Sequence, residues 1–134
     1  MGGNPCYNEP AGNCPRDFLM ERSDSMHISY NRLLHAVMDI GEAMQNSGAE
    51  ISRVEDSINR MCAAYGVRRV NSFTITGNII VTLEVNDETV ITQTRRTHQP
   101  TSDFTRLDKL NDLSRYICAN LPEVDEIKAR YEAI

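Results

Sequence analysis

The sequence predicts an α+β domain of two layers: a helical hairpin, a three-stranded antiparallel meander, then two helices, in the order α-α-β-β-β-α-α. Three observations predict it. Apolar residues recur at helical spacing from Tyr30 to Tyr65, with one break near Asn46. The period then falls to two between Val67 and Arg96, around short turn signals at Thr76-Gly77-Asn78 and Asn86-Asp87. Helical spacing returns from Phe104 to Tyr131.

Residues 1–24 carry Gly and Pro breakers before Arg16 and show no period, so they read as a flexible leader, with residues 25–134 as a single domain. Cys6 and Cys14 fall in that leader, where a disulfide or a bound metal are the alternatives to a plain tail. The pattern changes from His27. Tyr30, Leu33, Leu34, Val37, Ile40, Gly41 and Met44 form one stripe, which leaves His35 and Asp39 on the opposite, solvated flank.

Ser47 and Glu50 have the S-x-x-E spacing of a capping box, so they are expected to cap the second helix. Its stripe is Ile51, Val54, Ile58, Met61, Cys62 and Tyr65, and Gly66 stops it. The strand candidates are Val67–Thr76, Ile79–Val85 and Thr89–Arg96, with Ile79, Val81, Leu83 and Val85 on the apolar face. Thr101 or Ser102 caps a third helix with the stripe Phe104, Leu107, Leu110, Leu113 and Ile117. Pro122 suits the first turn of a last helix carrying Val124, Ile127 and Tyr131.

Composition excludes several classes of function. The chain has 134 residues and a formal net charge of -5, and its Arg pairs at 68–69 and 95–96 are isolated. Nucleic acid, which requires a clustered basic face, is therefore not an expected partner. No run approaches the ~18 apolar residues that a membrane span needs. No two cysteines have CxxC spacing and no Walker loop, Rossmann fingerprint or G-x-S-x-G elbow is present. No cofactor and no metal are expected.

The dense charge cluster is Glu50, Arg53, Glu55, Asp56 and Arg60. On a helical wheel Glu55 falls roughly 80° from the centre of the apolar stripe, a half-buried rim position whose carboxylate needs a partner. Glu50 and Arg53 are spaced to pair on the surface, and Arg60 faces solvent. As a catalytic pair, Glu55 would be the acid or base with Arg53 beside it. As a structural group, Glu55 would pair with Arg68, Arg69 or Arg95.

"SGAEISRVEDSINRMCAAYGV" resembles the threonine/serine exporter family of membrane proteins. The resemblance rests on Gly48, Ala49, Arg53, Val54, Glu55 and Gly66, and continues through Arg95 and Arg96 to Leu107, Leu110, Leu113, Ser114 and Arg115. It covers most of the chain. It implies a hydrophilic N-terminal domain that precedes a bundle of membrane helices in a secondary exporter of small polar metabolites, threonine and serine or dicarboxylates. The sequence ends at Ile134, about where the first membrane helix is expected. The expected partner is then the membrane-embedded part of a bacterial exporter, in cis or as a separate subunit, at the cytoplasmic face of the inner membrane. A homo-oligomer is a further option. The interaction residues implied are Gly48, Ala49, Glu50, Arg53, Glu55, Arg95 and Arg96. The alternatives are a small hydrolase centred on Glu55 and a sensor in which arginines grip the carboxylate of an amino acid or dicarboxylate.

Overall fold

Ser29 opens the first helix by accepting the Arg32 N–H on its hydroxyl, which satisfies one orphan donor of the first turn. The structure, a computed structural model, describes residues 29–134. The leader, its two cysteines and the helix start at His27 lie outside the described residues.

Helix α1 (Tyr30–Asn46) is the centre of the molecule. Besides the expected stripe it buries Ala36, Met38, Ala43 and Gln45, so it is covered on most of its circumference. It touches every other helix and the third strand. Helix α2 (Ile51–Ala64) buries Val54, Ile58, Met61 and Cys62 against it. Gly41 permits their close approach, because a Cβ there would lie 2.8 Å from Ile58 Cδ1.

Strands β1 (Arg69–Ile75), β2 (Asn78–Glu84) and β3 (Val90–Arg96) form an antiparallel sheet in the order β1-β2-β3. Ile75 pairs with Asn78, so the first turn has two residues, and Gly77 supplies its positive φ of 93°. The second turn is held by the Asn86 side-chain oxygen, which accepts the N–H groups of Glu88 and Thr89. Ile79, Val81 and Leu83 are fully buried beneath the helices. Phe73, Ile75 and Val90 point to the uncovered face. The sheet thus has one covered face, as its alternation requires.

Helices α3 (Phe104–Asn120) and α4 (Val124–Glu132) complete the order α-α-β-β-β-α-α in a mixed α+β arrangement. Leu110, Leu113 and Ile117 of α3 and Val124 and Ile127 of α4 join one continuous core.

Four expectations need correction. The cap of α3 is Asp103, which accepts the Arg106 N–H, and not Thr101 or Ser102. Ile51 and Phe104 are exposed, because each is the first residue of its helix and overhangs the core. Asp39 is not solvated, because β3 lies along that flank of α1 and brings Arg95 to it. Ser47 and Glu50 form no capping box: Glu50 occupies the N-cap of α2 without a side-chain hydrogen bond.

Candidate functional site

The failed capping box has a definite cause. Ser47 is the C-cap of α1, and Gly48 follows it with φ 101°. The Gly48 N–H donates to the Gln45 carbonyl at 3.1 Å and the Ala49 N–H to the Met44 carbonyl at 3.0 Å. That is a Schellman motif, so Gly-Ala ends one helix before it begins the next. Glu50 then works through its backbone: its carbonyl accepts the N–H groups of Arg53 and Val54.

The segment before α3 docks on this same corner. The Asn46 carbonyl accepts from the Thr101 N–H at 2.7 Å and the Thr101 hydroxyl at 3.1 Å. The Ser47 carbonyl accepts from the Asp103 N–H at 3.2 Å. The last carbonyls of α1 are thereby satisfied by a distant part of the chain. A Cβ on Gly48 would meet the Thr101 carbonyl oxygen at 3.2 Å, so packing as well as φ requires glycine there. Helices α2 and α3 both start from this joint. At their far ends the Tyr65 hydroxyl, just past α2, donates to the Pro122 carbonyl, just past α3. The two helices therefore run in the same direction, bridged at both ends.

Between them lies an open groove of ≈580 Å3. Arg53, Asp56, Ser57 and Arg60 line it from α2, and Asn111, Ser114, Arg115 and Cys118 from α3. Each set has the spacing i, i+3, i+4, i+7, so each is one stripe of its helix. Packed helices usually oppose apolar stripes; these oppose polar ones. Ser57 and Ser114 are buried small residues whose size leaves the groove open. Three arginines face one aspartate, in a chain whose formal net charge is -5. Asp56 pairs with Arg60 at 2.9 Å and Arg115 pairs with Asp112 of its own helix at 2.6 Å. Arg53 has no ion pair among the described residues. Burial raises the Cys118 thiol above its ordinary value, with Arg60 pulling the other way. A second cavity of ≈530 Å3 adjoins the joint and shares Arg53 and Asp56 with the groove; Gly48, Ala49, Glu50 and Phe104 also line it.

The other residues singled out in the sequence lie elsewhere. Glu55 is half-buried on the flank of α2 that faces β1, and its Oε1 accepts the Thr74 N–H at 2.7 Å. β1 is an edge strand, and Glu55, with Asn59 bonding Ser72 and Gln45 bonding the Ile75 carbonyl, covers that edge. The expected arginine partners are engaged otherwise: Arg68 with Asp87, Arg69 with Glu84, and Arg95 with Asp39 at 2.5 Å and Glu42 at 2.9 Å. Burial opposes the Arg95 charge, but the hydrogen bonds to Asp39 and Glu42 outweigh it and hold its pKa above the usual range. Arg96, one position on, points to the opposite face of the sheet and is exposed. Of the residues implied by the resemblance, Gly48, Ala49, Glu50 and Arg53 thus meet at the joint, whereas Glu55, Arg95 and Arg96 stand on other surfaces. Among the described residues no cluster of three or more His, Cys, Asp or Glu side chains could hold a metal ion.

Asn111 is a groove residue that no motif in the sequence marks, while Ser114 and Arg115 belong to the resembling segment but are not among the interaction residues it implies. The signal available was the polar stripe itself, repeated at helical spacing in two helices. Their juxtaposition is tertiary.

Comparison with known families gives one result that spans the groove. The model of the family described as "Putative threonine/serine exporter" matches residues 35–134, which include both helices that wall it. A search of curated proteins and a search of solved structures each returned no match. No described helix is long and apolar enough to cross a membrane. With a match over more than half of its length, the chain belongs to the threonine/serine exporter family.

Proposed function

We propose that residues 29–134 form the hydrophilic domain of an exporter of small polar metabolites, threonine and serine or dicarboxylates. In this reading the domain sits at the cytoplasmic face of the membrane and works with a membrane-embedded part, in cis or as a separate subunit. Its role is to capture the solute before transport. The observation that carries the reading is that the two segments on which the resemblance rests meet around one arginine-lined groove, Gly48–Arg53 from one side and Leu107–Arg115 from the other. Solute capture requires such a concave, polar and pre-formed surface.

The test is efflux from cells that carry the complete exporter. Arg53→Ala combined with Arg115→Ala is expected to lower export several-fold with unchanged protein abundance. Export that persists at its full rate after removal of the whole domain overturns the reading.

A further inference from the structure

We propose that the open edge of β3 pairs antiparallel with β3 of a second copy of this chain, which joins the two three-stranded meanders into one continuous sheet. The surface lies away from the groove, and the inference does not rest on the exporter reading.

The backbone defines the edge. The Thr97 N–H donates to the Gly77 carbonyl and the Val85 N–H to the Thr89 carbonyl. In the register of β2 with β3, this directs the backbone groups of Ile91, Gln93 and Arg95 at β2. Those of Val90, Thr92, Thr94 and Arg96 therefore point outward. Among the described residues, none bonds these outward N–H and carbonyl groups. The opposite edge is treated differently: α2 supplies the Glu55 carboxylate to the Thr74 N–H of β1. Edge strands are ordinarily blunted by lysine, proline or a bulge. β3 reads Val-Ile-Thr-Gln-Thr-Arg-Arg, pairs with β2 without interruption, and carries none of the three.

The strand is complementary to itself. A two-fold axis at Gln93 sets Val90 opposite the second copy's Arg96, and Thr92 opposite its Thr94. Each of these pairs joins outward-facing residues and exchanges two hydrogen bonds, so this register uses every outward group of both strands. Shifting the axis to Thr92 or Thr94 leaves Arg96 or Val90 beyond the paired segment. Side chains agree with the register. Thr92 and Thr94 are exposed on the uncovered face, where the Thr82 and Thr92 hydroxyls are already bonded at 2.8 Å, and the seam extends that threonine row.

Charge agrees as well. The Arg95–Arg96 pairs of the two copies fall at opposite ends of the seam. Arg95 stays with Asp39 and Glu42 of its own α1, so the covered face gains no unpaired charge. Arg96 is exposed and has no ion pair among the described residues. In this register it shares a row with the second copy's Glu84, about 10 Å away across Val90, a span that two extended side chains close. A strand of unrelated sequence supplies the hydrogen bonds, but neither the threonine row nor this carboxylate. The seam is short: strands of 7 residues bury less than the roughly 800 Å2 per partner of a standard interface. The dimer is therefore weak, with a dissociation constant on the order of 10–100 µM.

Sedimentation velocity of the full chain from about 1 to about 500 µM tests the proposal, and a reversible monomer–dimer equilibrium is expected. Thr92→Pro removes an outward N–H and no bond to β2, and should weaken dimerisation about tenfold or more. Thr92→Lys with Thr94→Lys sets like charges opposite each other and should do the same. Thr92→Glu with Thr94→Lys sets opposite charges in register and should restore the dimer. Phe73→Lys, on the same face two strands from the seam, should change nothing. Circular dichroism checks the fold of each variant, and the two charge-bearing pairs decide the matter where the proline variant fails to fold. The proposal is overturned by a monomer throughout, by a dimer that survives the double-lysine substitution, or by no recovery in the Glu–Lys pair. Loss of the dimer on Phe73→Lys also overturns it, and assigns the contact to packing of the sheet faces. A monomer whose Thr92 and Thr94 amides are protected from hydrogen exchange overturns it too, and gives the edge to another part of the same chain.

Discussion

Glu55 shows what one residue reveals from sequence and what it conceals. Its place on the helical wheel makes it half-buried and in need of a partner, and it is both. The partner is a backbone N–H, at Thr74, and a backbone donor leaves no trace in side-chain spacing. The consequence is a measurable asymmetry. Glu55→Ala leaves the Thr74 N–H unpaired at the sheet edge and should destabilise the fold by about 1.5–3 kcal/mol. Glu55→Gln keeps an uncharged acceptor in place and should cost about 1 kcal/mol or less. Urea denaturation of the two variants checks this, and equal losses would show that the bond to Thr74 contributes little. Arg95 was legible as a candidate in the same partial way. Alternation along β3 separates it from Arg96, but its two carboxylate partners on α1 follow only from the packing of helix on sheet.

At the scale of elements, the helices and strands were legible because their periods are clean, and the ends were less so. S-x-x-E at 47–50 fits a capping box by composition, yet Gly48 at positive φ turns the same residues into the end of α1. The pattern carries no register of its own; the backbone of Gly48 decides. The end of α3 shows the opposite case. Leu121, not glycine, adopts the left-handed conformation there, with φ 48° and ψ 54°. A side chain in that conformation costs about 1–2 kcal/mol. Glycine removes the strain and adds about 0.5–1 kcal/mol of chain entropy to be lost on folding. Leu121 is about half exposed, so little packing is lost with it. Leu121→Gly should therefore stabilise the fold by about 0.5–1 kcal/mol, seen as a rise in Tm. A fall in Tm would mean that the Leu121 side chain contributes more than its exposure suggests.

For the whole molecule, the order of elements and the two-layer arrangement could be read from the sequence, whereas the groove could not. Its walls are separated by the entire meander, and only folding sets one polar stripe opposite the other. The core that holds these walls also makes stability depend on alkaline pH. Burial pushes the Cys62 thiol from 9.0 up to about 12, and burial with the nearby Cys118 and Glu126 pushes the Tyr65 hydroxyl from 10.0 up to about 12. The unfolded chain releases these protons first, so between pH 9 and 12 it binds fewer than the folded one. By linkage, stability should hold below pH 9 and fall as pH rises from there towards 12. Denaturation midpoints measured between pH 8 and 11 check this, and Cys62→Ala should make the fall shallower. A flat profile in both proteins would refute it. The joints at the two ends of the groove carry a last consequence. Thr101 meets Asn46 across 55 positions of sequence, and Tyr65 meets Pro122 across 57. Each contact closes a long loop whose entropic cost the intervening meander must offset. The cleft therefore exists only where the folded meander holds its two walls side by side. Its width is inherited from strands that contribute no side chain to its lining.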